Sequence, residues 1–282
     1  MSFATVPDLV LEPVIRNALI EDLGSYGDVT TRAVIPAGTK YEACLNARED
    51  AVVSGMQVAA IAFRLVDPSL EITSHFSDGQ TCQNGDTLMT IKGDAGAILS
   101  GERVALNFAG RLTGIATKTA SFVEQTIGTD ARVTCTRKTT PGLRLVEKLA
   151  VLHGGGFNHR YSLSDAILIK DNHIAAAGGV REVLEATQSS ASHMMAVEIE
   201  VDRLDQLAEV LDVGGASAVL LDNMDNDMLR EAVAMVDGRL KTEASGNVNL
   251  ERVASIAATG VDYISSGALT HSARTIDLGL DF

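Results

Sequence analysis

Six short β-prone runs, each ending in a polar or charged residue, recur through the second half of this 282-residue chain. They are Ala131–Arg137, Ala166–Lys170, Ala196–Glu200, Ala218–Asp222, Leu240–Glu243 and Val261–Ser266. Helical stretches lie between them, among them Val180–Thr187, Arg203–Leu211 and Met228–Val236. The run ends fall about 20 to 30 residues apart, the rhythm of βα units, which predicts a parallel sheet with helical crossovers. Chemistry in such folds gathers at the carboxyl ends of the strands. Arg137, Lys170, Glu200, Asp222 and Glu243 are therefore expected to share one mouth. A complete eight-unit barrel takes about 250 residues. The span from Ala131 to Gly267 is much shorter, so compact units and fewer than eight strands are expected. An open sheet fits the same pattern.

The N-terminal part reads as an α+β module with antiparallel strands. Val10–Ile20 and Ser54–Leu65 are expected as helices, and Tyr41–Ala47, Leu70–His75 and Thr87–Ile91 as strands. Asp28-Val29-Thr30-Thr31 looks like a turn, and turn signals at Asp78-Gly79 and Asn84-Gly85-Asp86 predict hairpins. A long helix, capped by Ser100 and reaching about Gln125, is expected to join the two parts, with a bend at Gly110 or Gly114. Val104, Phe108, Leu112 and Ile115 share one face of it, and Arg103, Asn107 and Arg111 a neighbouring one. The Gly110-xxx-Gly114 spacing suits close packing against another helix.

Charge narrows the ligand class. Between Arg137 and His173 lie six Lys or Arg, three Asp or Glu and three of the six histidines, in a chain of formal charge −14. A basic, Gly-rich island in an acidic protein suits a small molecule with two or more carboxylates or phosphates. The overall charge argues against nucleic acid or an anionic membrane surface as partner. No apolar run approaches the roughly 18 residues of a membrane span. Met1–Asp8 lacks the basic start and apolar core of a signal peptide. Cys44, Cys82 and Cys135 are scattered and odd in number, which fits inert thiols in a reducing cytoplasm.

Individual constellations sharpen this. Arg137 and Lys138 offer a guanidinium fork for a carboxylate beside a compact charge for phosphate. Gly154-Gly155-Gly156 lets backbone approach an anion or lets helices pack, and Asn158, His159 and Arg160 follow at once. Ile167–Ile169 delivers Lys170 to a strand end, where desolvation calls for an anion. His173 either caps the next helix or touches a ligand. Val197-Glu198-Ile199-Glu200-Val201 sets two carboxylates on one strand face, with Glu200 nearer the end. Glu200 and Asp222 suit Mg2+, directly or through water, and ion pairing of Glu200 with Lys170 or Arg160 is the alternative. Glu243-Ala244-Ser245-Gly246-Asn247 and Ser265-Ser266-Gly267-Ala268 are consecutive strand-to-helix turns built to expose backbone N–H groups to phosphate.

Taken in order, further motifs carry a family resemblance. They are Glu21–Gly24 with Gly27–Thr31, Gly101–Asn107, Thr136–Arg144, Gly154–Arg160, Leu168–His173, Leu221–Asn223, Glu243–Gly246 and Gly267–His271. Over nearly its whole length the chain resembles the quinolinate phosphoribosyltransferases, also called carboxylating nicotinate-nucleotide pyrophosphorylases. The resemblance implies an α/β fold, an incomplete (open) α/β barrel with an N-terminal α/β sandwich domain. The sandwich would take residues 1–112, joined by the tail 273–282, and the barrel residues 113–272. It implies a homodimer, or an assembly of dimers, with each active site shared across subunits. The implied reaction joins quinolinate to phosphoribosyl pyrophosphate, with Mg2+, giving nicotinate mononucleotide, pyrophosphate and CO2 for NAD synthesis.

By position, Arg137, His159 and Arg160 would line the quinolinate pocket, and Arg103 would reach in from the other subunit. Lys138, Lys170, Glu200 and Asp222 would surround the ribose, pyrophosphate and Mg2+. Ser245, Gly246, Gly267 and His271 would hold the 5′-phosphate. Asn247 stands where the family commonly has a second Gly, and Ser162 where Gly is frequent. A relative acting on another aromatic acid and a non-catalytic binder of a phosphorylated metabolite are the competing readings; a substrate screen separates the first, and binding without turnover marks the second.

Overall fold

The computed structural model describes residues 5–282, so the first half of the Met1–Asp8 stretch lies outside the described residues. In chain order the elements begin with α1 (Asp8–Leu23), α2 (Val29–Val34), β1 (Lys40–Ala47), β2 (Ala51–Val52) and α3 (Met56–Val66). Then come β3 (Glu71–Ser74), β4 (Thr81–Cys82), β5 (Thr87–Asp94), α4 (Ala95–Glu124), β6 (Arg132–Thr134) and α5 (Arg144–His153). The repetitive part continues with β7 (Ile167–Ile169), α6 (Asp171–Ala177), α7 (Val180–Ser190), β8 (Val197–Val201), α8 (Leu204–Val213) and β9 (Ala218–Asp222). It closes with α9 (Asn226–Val236), β10 (Lys241–Ser245), α10 (Leu250–Ala257), β11 (Tyr263–Ser265), α11 (Ala268–His271) and β12 (Leu278–Asp281). Two compact units interleave: residues up to 120 with 139–155 and 269–282, and residues 121–138 with 156–268. The expected boundary at 112 and 113 kept 113–272 together, whereas 139–155 groups with the first unit.

The first unit is built on an antiparallel sheet of order β12-β1-β5-β3. Alternation along β1 turns Ala43, Leu45 and Ala47 into the core. Leu11, Ile15 and Leu19 recur every four residues and form the buried stripe of α1, which packs against α3. Several expectations are corrected here. Asp28 does not open a simple turn: its side chain accepts the Thr31 N–H and caps α2. Ser100 is not a cap, because α4 starts at Ala95 and Asp94 Oδ1 accepts the Ala97 N–H at 3.0 Å. The signals at Asp78-Gly79 and Asn84–Asp86 do mark turns, with Gly79 and Gly85 at φ 93° and 91°. They do not mark hairpins, since β3 pairs with β5 and β4 with β2.

Helix α4 runs unbroken for 30 residues, and its Gly110 and Gly114 face backbone rather than another helix. A Cβ at Gly110 would meet the Ile276 carbonyl at 2.7 Å, and one at Gly114 the Arg274 carbonyl at 1.8 Å. The Ile276 N–H also donates to the Gly110 carbonyl at 3.0 Å. Gly154 likewise serves packing, because its Cβ would lie 2.4 Å from the Ala116 carbonyl on α4. One charged cluster ties these segments. Glu147 on α5 is fully buried and pairs with Arg111 of α4 at 2.9 Å. Its carboxylate also accepts the Thr140 N–H and hydroxyl, while Arg111 donates to the carbonyls of Thr270 and Ala273.

In the second unit six parallel strands lie in the order β6-β11-β10-β9-β8-β7. Phe157 extends the sheet beyond β6 through a parallel bridge to Thr134. Among the described residues no pairing joins Phe157 to β7, so the barrel is open there. Side-chain caps set the starts of two crossover helices: Asp225 accepts from Asp227 and Met228 at α9, and Asn249 from Arg252 at α10. Strand β6 ends at Thr134, so Arg137 and Lys138 stand in the following loop rather than at a strand end.

The close approach at Gly114 predicts a large effect from one methyl. Gly114→Ala gains about 1 kcal/mol of helix propensity yet is expected to lower stability by about 1–3 kcal/mol through overpacking. Urea unfolding measures the net sign.

Candidate functional site

Strand β8 alternates buried Val197, Ile199 and Val201 with half-buried Glu198 and Glu200. The two carboxylates share a face and meet different partners. His159 Nε2 donates to Glu198 at 2.8 Å, and Lys170 Nζ donates to Glu200 at 2.5 Å. Lys170 follows β7 and precedes α6, and its backbone N–H donates to His173 Nδ1 at 2.8 Å. His173 is thus the capping residue of the two readings. Asp222 ends β9 directly beside Ser245, which ends β10.

Two cavities open at opposite ends of these strands. One, of about 300 Å3, is lined by Asp171, Glu200, Asp202, Arg203 and Asp222, at or beyond the carboxyl ends. Arg203 is already engaged with Asp202 and Asp205, which leaves this cavity with a surplus of carboxylates. The other, of about 410 Å3, is lined by His159, Arg160, Glu198 and Glu243 and reaches Ala196, Ser217 and Lys241 near the strand starts. Glu243 therefore does not join the other strand-end residues as expected. Strand β10 runs two residues further than the sequence pattern implied, so Glu243 is mid-strand, 6% exposed, and 3.8 Å from His159 Nε2. Ser245 takes the strand end instead.

Arg160 Nη1 donates to the Ala166 carbonyl at 2.8 Å. Its Nε is buried and has no hydrogen-bond partner among the described residues. Burial lowers the Arg160 pKa, and the like charge of Arg137 lowers it further against the opposing pull of Glu198 and Asp165. Two guanidinium groups are thus held near one another in a partly desolvated place. An anion with more than one carboxylate would relieve their repulsion. The neighbouring departure from family pattern is absorbed locally: the Ser162 hydroxyl donates to Asp165 at 2.6 Å and closes a turn.

The turn after β10 keeps its expected geometry. Gly246 has φ 90°, and a Cβ there would lie 2.2 Å from Asn223 Oδ1. Asn247 follows at φ 50°, the left-handed region that Asn tolerates, and its amide donates to Asn223 at 3.2 Å. Asn247 thus holds a left-handed backbone, which Gly adopts readily. Gly267 follows β11 and leads directly into α11, whose last residue is His271. Arg103 on α4 is 64% exposed and lies 3.9 Å from Glu102. Arg103 and His271 both belong to the first unit, whereas the other expected site residues belong to the second. Glu198 was visible from its alternation but passed over for Glu200; no local signal pointed to the contact between His159 and Glu243.

The quinolinate phosphoribosyl transferase N-terminal domain matches residues 28–113, and the C-terminal domain of the same family matches residues 115–281. The chain belongs to the quinolinate phosphoribosyl transferase family. It is 45% identical to quinolinate phosphoribosyltransferase [decarboxylating] 1 of Nicotiana glauca, over 97% of this chain and 83% of that protein. It is 38% identical to the probable nicotinate-nucleotide pyrophosphorylase [carboxylating] of Bacillus subtilis, over 97% and 93%. The solved nicotinate-nucleotide pyrophosphorylase of Francisella tularensis superposes with a TM-score of 0.93 at 35% identity, covering 100% of this chain and 99% of that one. Streptococcus pyogenes NadC gives 0.95 at 37% identity, covering 99% and 98%. The family's C-terminal domain match holds Arg137, Lys138, His159, Arg160, Lys170, Glu200 and Asp222, and its N-terminal match holds Arg103.

The left-handed backbone at Asn247 is testable within this quinolinate phosphoribosyl transferase fold. Asn247→Gly is expected to change stability by less than about 0.5 kcal/mol, whereas Asn247→Val costs about 1–2 kcal/mol. Thermal unfolding of the two variants distinguishes this from a loop with free choice of backbone.

Proposed function

We propose that this protein transfers the phosphoribosyl group of phosphoribosyl pyrophosphate to quinolinate with decarboxylation, giving nicotinate mononucleotide, pyrophosphate and CO2 in de novo NAD synthesis. The observation that carries it is the buried Arg160 Nε, left without a protein acceptor and with Arg137 pressing on the same guanidinium. Family membership supports the same reading. Arg137 and Arg160 grip the two carboxylates and aim the ring nitrogen at the ribose anomeric carbon. As the nitrogen–carbon bond forms, the bond to pyrophosphate breaks and positive charge grows on the ribose. Glu200 and Asp222 oppose that charge, while Lys138 and Lys170 meet the departing anion. The new pyridinium then accepts the electron pair of the adjacent carbon–carboxylate bond. CO2 leaves and a proton takes its place on the ring. Ser245, Gly246, Gly267 and His271 hold the 5′-phosphate.

Glu200 and Asp222 are hard oxygen donors at a cavity with surplus negative charge, a set that fits Mg2+. Bound there, Mg2+ would supply charge neutralisation for the pyrophosphate. We further propose a homodimer in which Arg103 completes the site of a second copy. No described helix is long and apolar enough to cross a membrane. The three free cysteines suit a reducing compartment, and we propose the cytoplasm.

The purified protein, given Mg2+, phosphoribosyl pyrophosphate and either quinolinate or nicotinate, is expected to form nicotinate mononucleotide only from quinolinate, with CO2 released, as read by mass spectrometry. Chelation abolishes turnover and added Mg2+ restores it. Arg160→Ala or Arg137→Ala raises KM for quinolinate by about 100-fold, the scale of a lost charge-assisted pair. KM for phosphoribosyl pyrophosphate changes by less than about threefold. Equal losses for both substrates would refute the assignment.

A further inference from the structure

His159 is placed by resemblance in the quinolinate pocket, yet both of its ring nitrogens are already used. Nε2 lies 2.8 Å from Glu198 Oε2 and 3.8 Å from Glu243 Oε1. Nδ1 accepts the backbone N–H of Arg160 at 2.8 Å. A neutral imidazole carries one N–H and one in-plane lone pair. The lone pair is therefore on Nδ1 and the proton on Nε2. Neither nitrogen is left to bond a ligand. The three groups also have the makings of a metal site, with ligand atoms within 4.8 Å of one another. A metal on Nε2 would need the lone pair there and would displace the proton from the Glu198 bond onto Nδ1, breaking the bond from Arg160. The hydrogen-bond pattern thus opposes a metal.

We propose that Glu198 is a positioning residue for the aromatic-acid subsite, acting through His159 on Arg160. The carboxylate fixes the ring tautomer. The ring then pins the Arg160 main chain, and from that anchor the side chain spans to the Ala166 carbonyl, with Nε turned free of protein acceptors. Glu243 Oε1, 3.8 Å from Nε2, lies beyond hydrogen-bond reach and leaves Glu198 as the acceptor of that proton. The inference rests on the proposed reaction only for its kinetic readout.

Glu198→Gln keeps an acceptor oxygen, and Glu198→Ala removes it. Glu198→Gln is expected within about twofold of the parent enzyme, and Glu198→Ala to raise KM for quinolinate about tenfold. In both variants kcat and KM for phosphoribosyl pyrophosphate shift by less than about threefold. The 15N spectrum of the His159 ring, read on the parent protein without substrate, is expected to show the Nε2–H tautomer. An unchanged KM for quinolinate in Glu198→Ala overturns the proposal, as does an equal rise for both substrates, a Nδ1–H ring, or tightly held Zn2+ that Glu198→Gln releases. Should Glu198→Ala fail to fold, the ring spectrum and Glu198→Gln still decide. A parent enzyme that makes no nicotinate mononucleotide overturns the reaction instead, and leaves the ring spectrum to judge the tautomer.

Discussion

The pairing of Arg111 with Glu147 holds together a unit assembled from three separate stretches of chain. Glu147 is fully buried, and a buried charge costs several kcal/mol unless it is matched and its oxygens are all satisfied. Here Arg111 supplies the opposite charge, and Thr140 supplies two further donors. Arg111 in turn reaches the Thr270 carbonyl of α11 and the Ala273 carbonyl beyond it. One ion pair therefore joins α4, the start and helix of the 139–155 segment, and the C-terminal stretch. The glycines of α4 do the complementary work. They clear the space through which residues 274–276 pass along the helix.

In the second unit the controlling constraint is the strand period. Because side chains alternate, β8 delivers Glu198 and Glu200 to one face two residues apart. That small displacement separates two chemistries. Glu200 pairs with Lys170 and borders the same cavity as Asp222 at the carboxyl ends. Glu198 reaches a deeper histidine and stabilises a scaffold. Identical residue types thus serve different ends, according to depth along the strand.

Much of this was legible from residues alone. The Val-Glu-Ile-Glu-Val alternation identified a strand and its face, and the spacing of Lys170, Glu200 and Asp222 identified a parallel sheet. What failed depended on partners distant in sequence. Gly110 and Gly114 announced a close approach without saying to what, since a carbonyl 160 or more residues later leaves no trace in the local pattern. Glu243 was misplaced because β10 extends through Ser245, and strand ends in a sheet follow the pairing of neighbours more than local propensity. Asp28 looked like a turn because the same Asx chemistry that closes turns also caps helices.

The strand β12 has a consequence for how the protein is made. It pairs with β1 through Cys44–Ala47, more than two hundred residues upstream. Until β12 has emerged from the ribosome, β1 is a sheet edge with open backbone groups and an apolar face. At typical translation speeds that interval lasts roughly 10–50 seconds. During that time the nascent chain carries an unfinished domain at its front while the barrel strands emerge behind it. The strand that closes the first sheet is made only after every barrel strand.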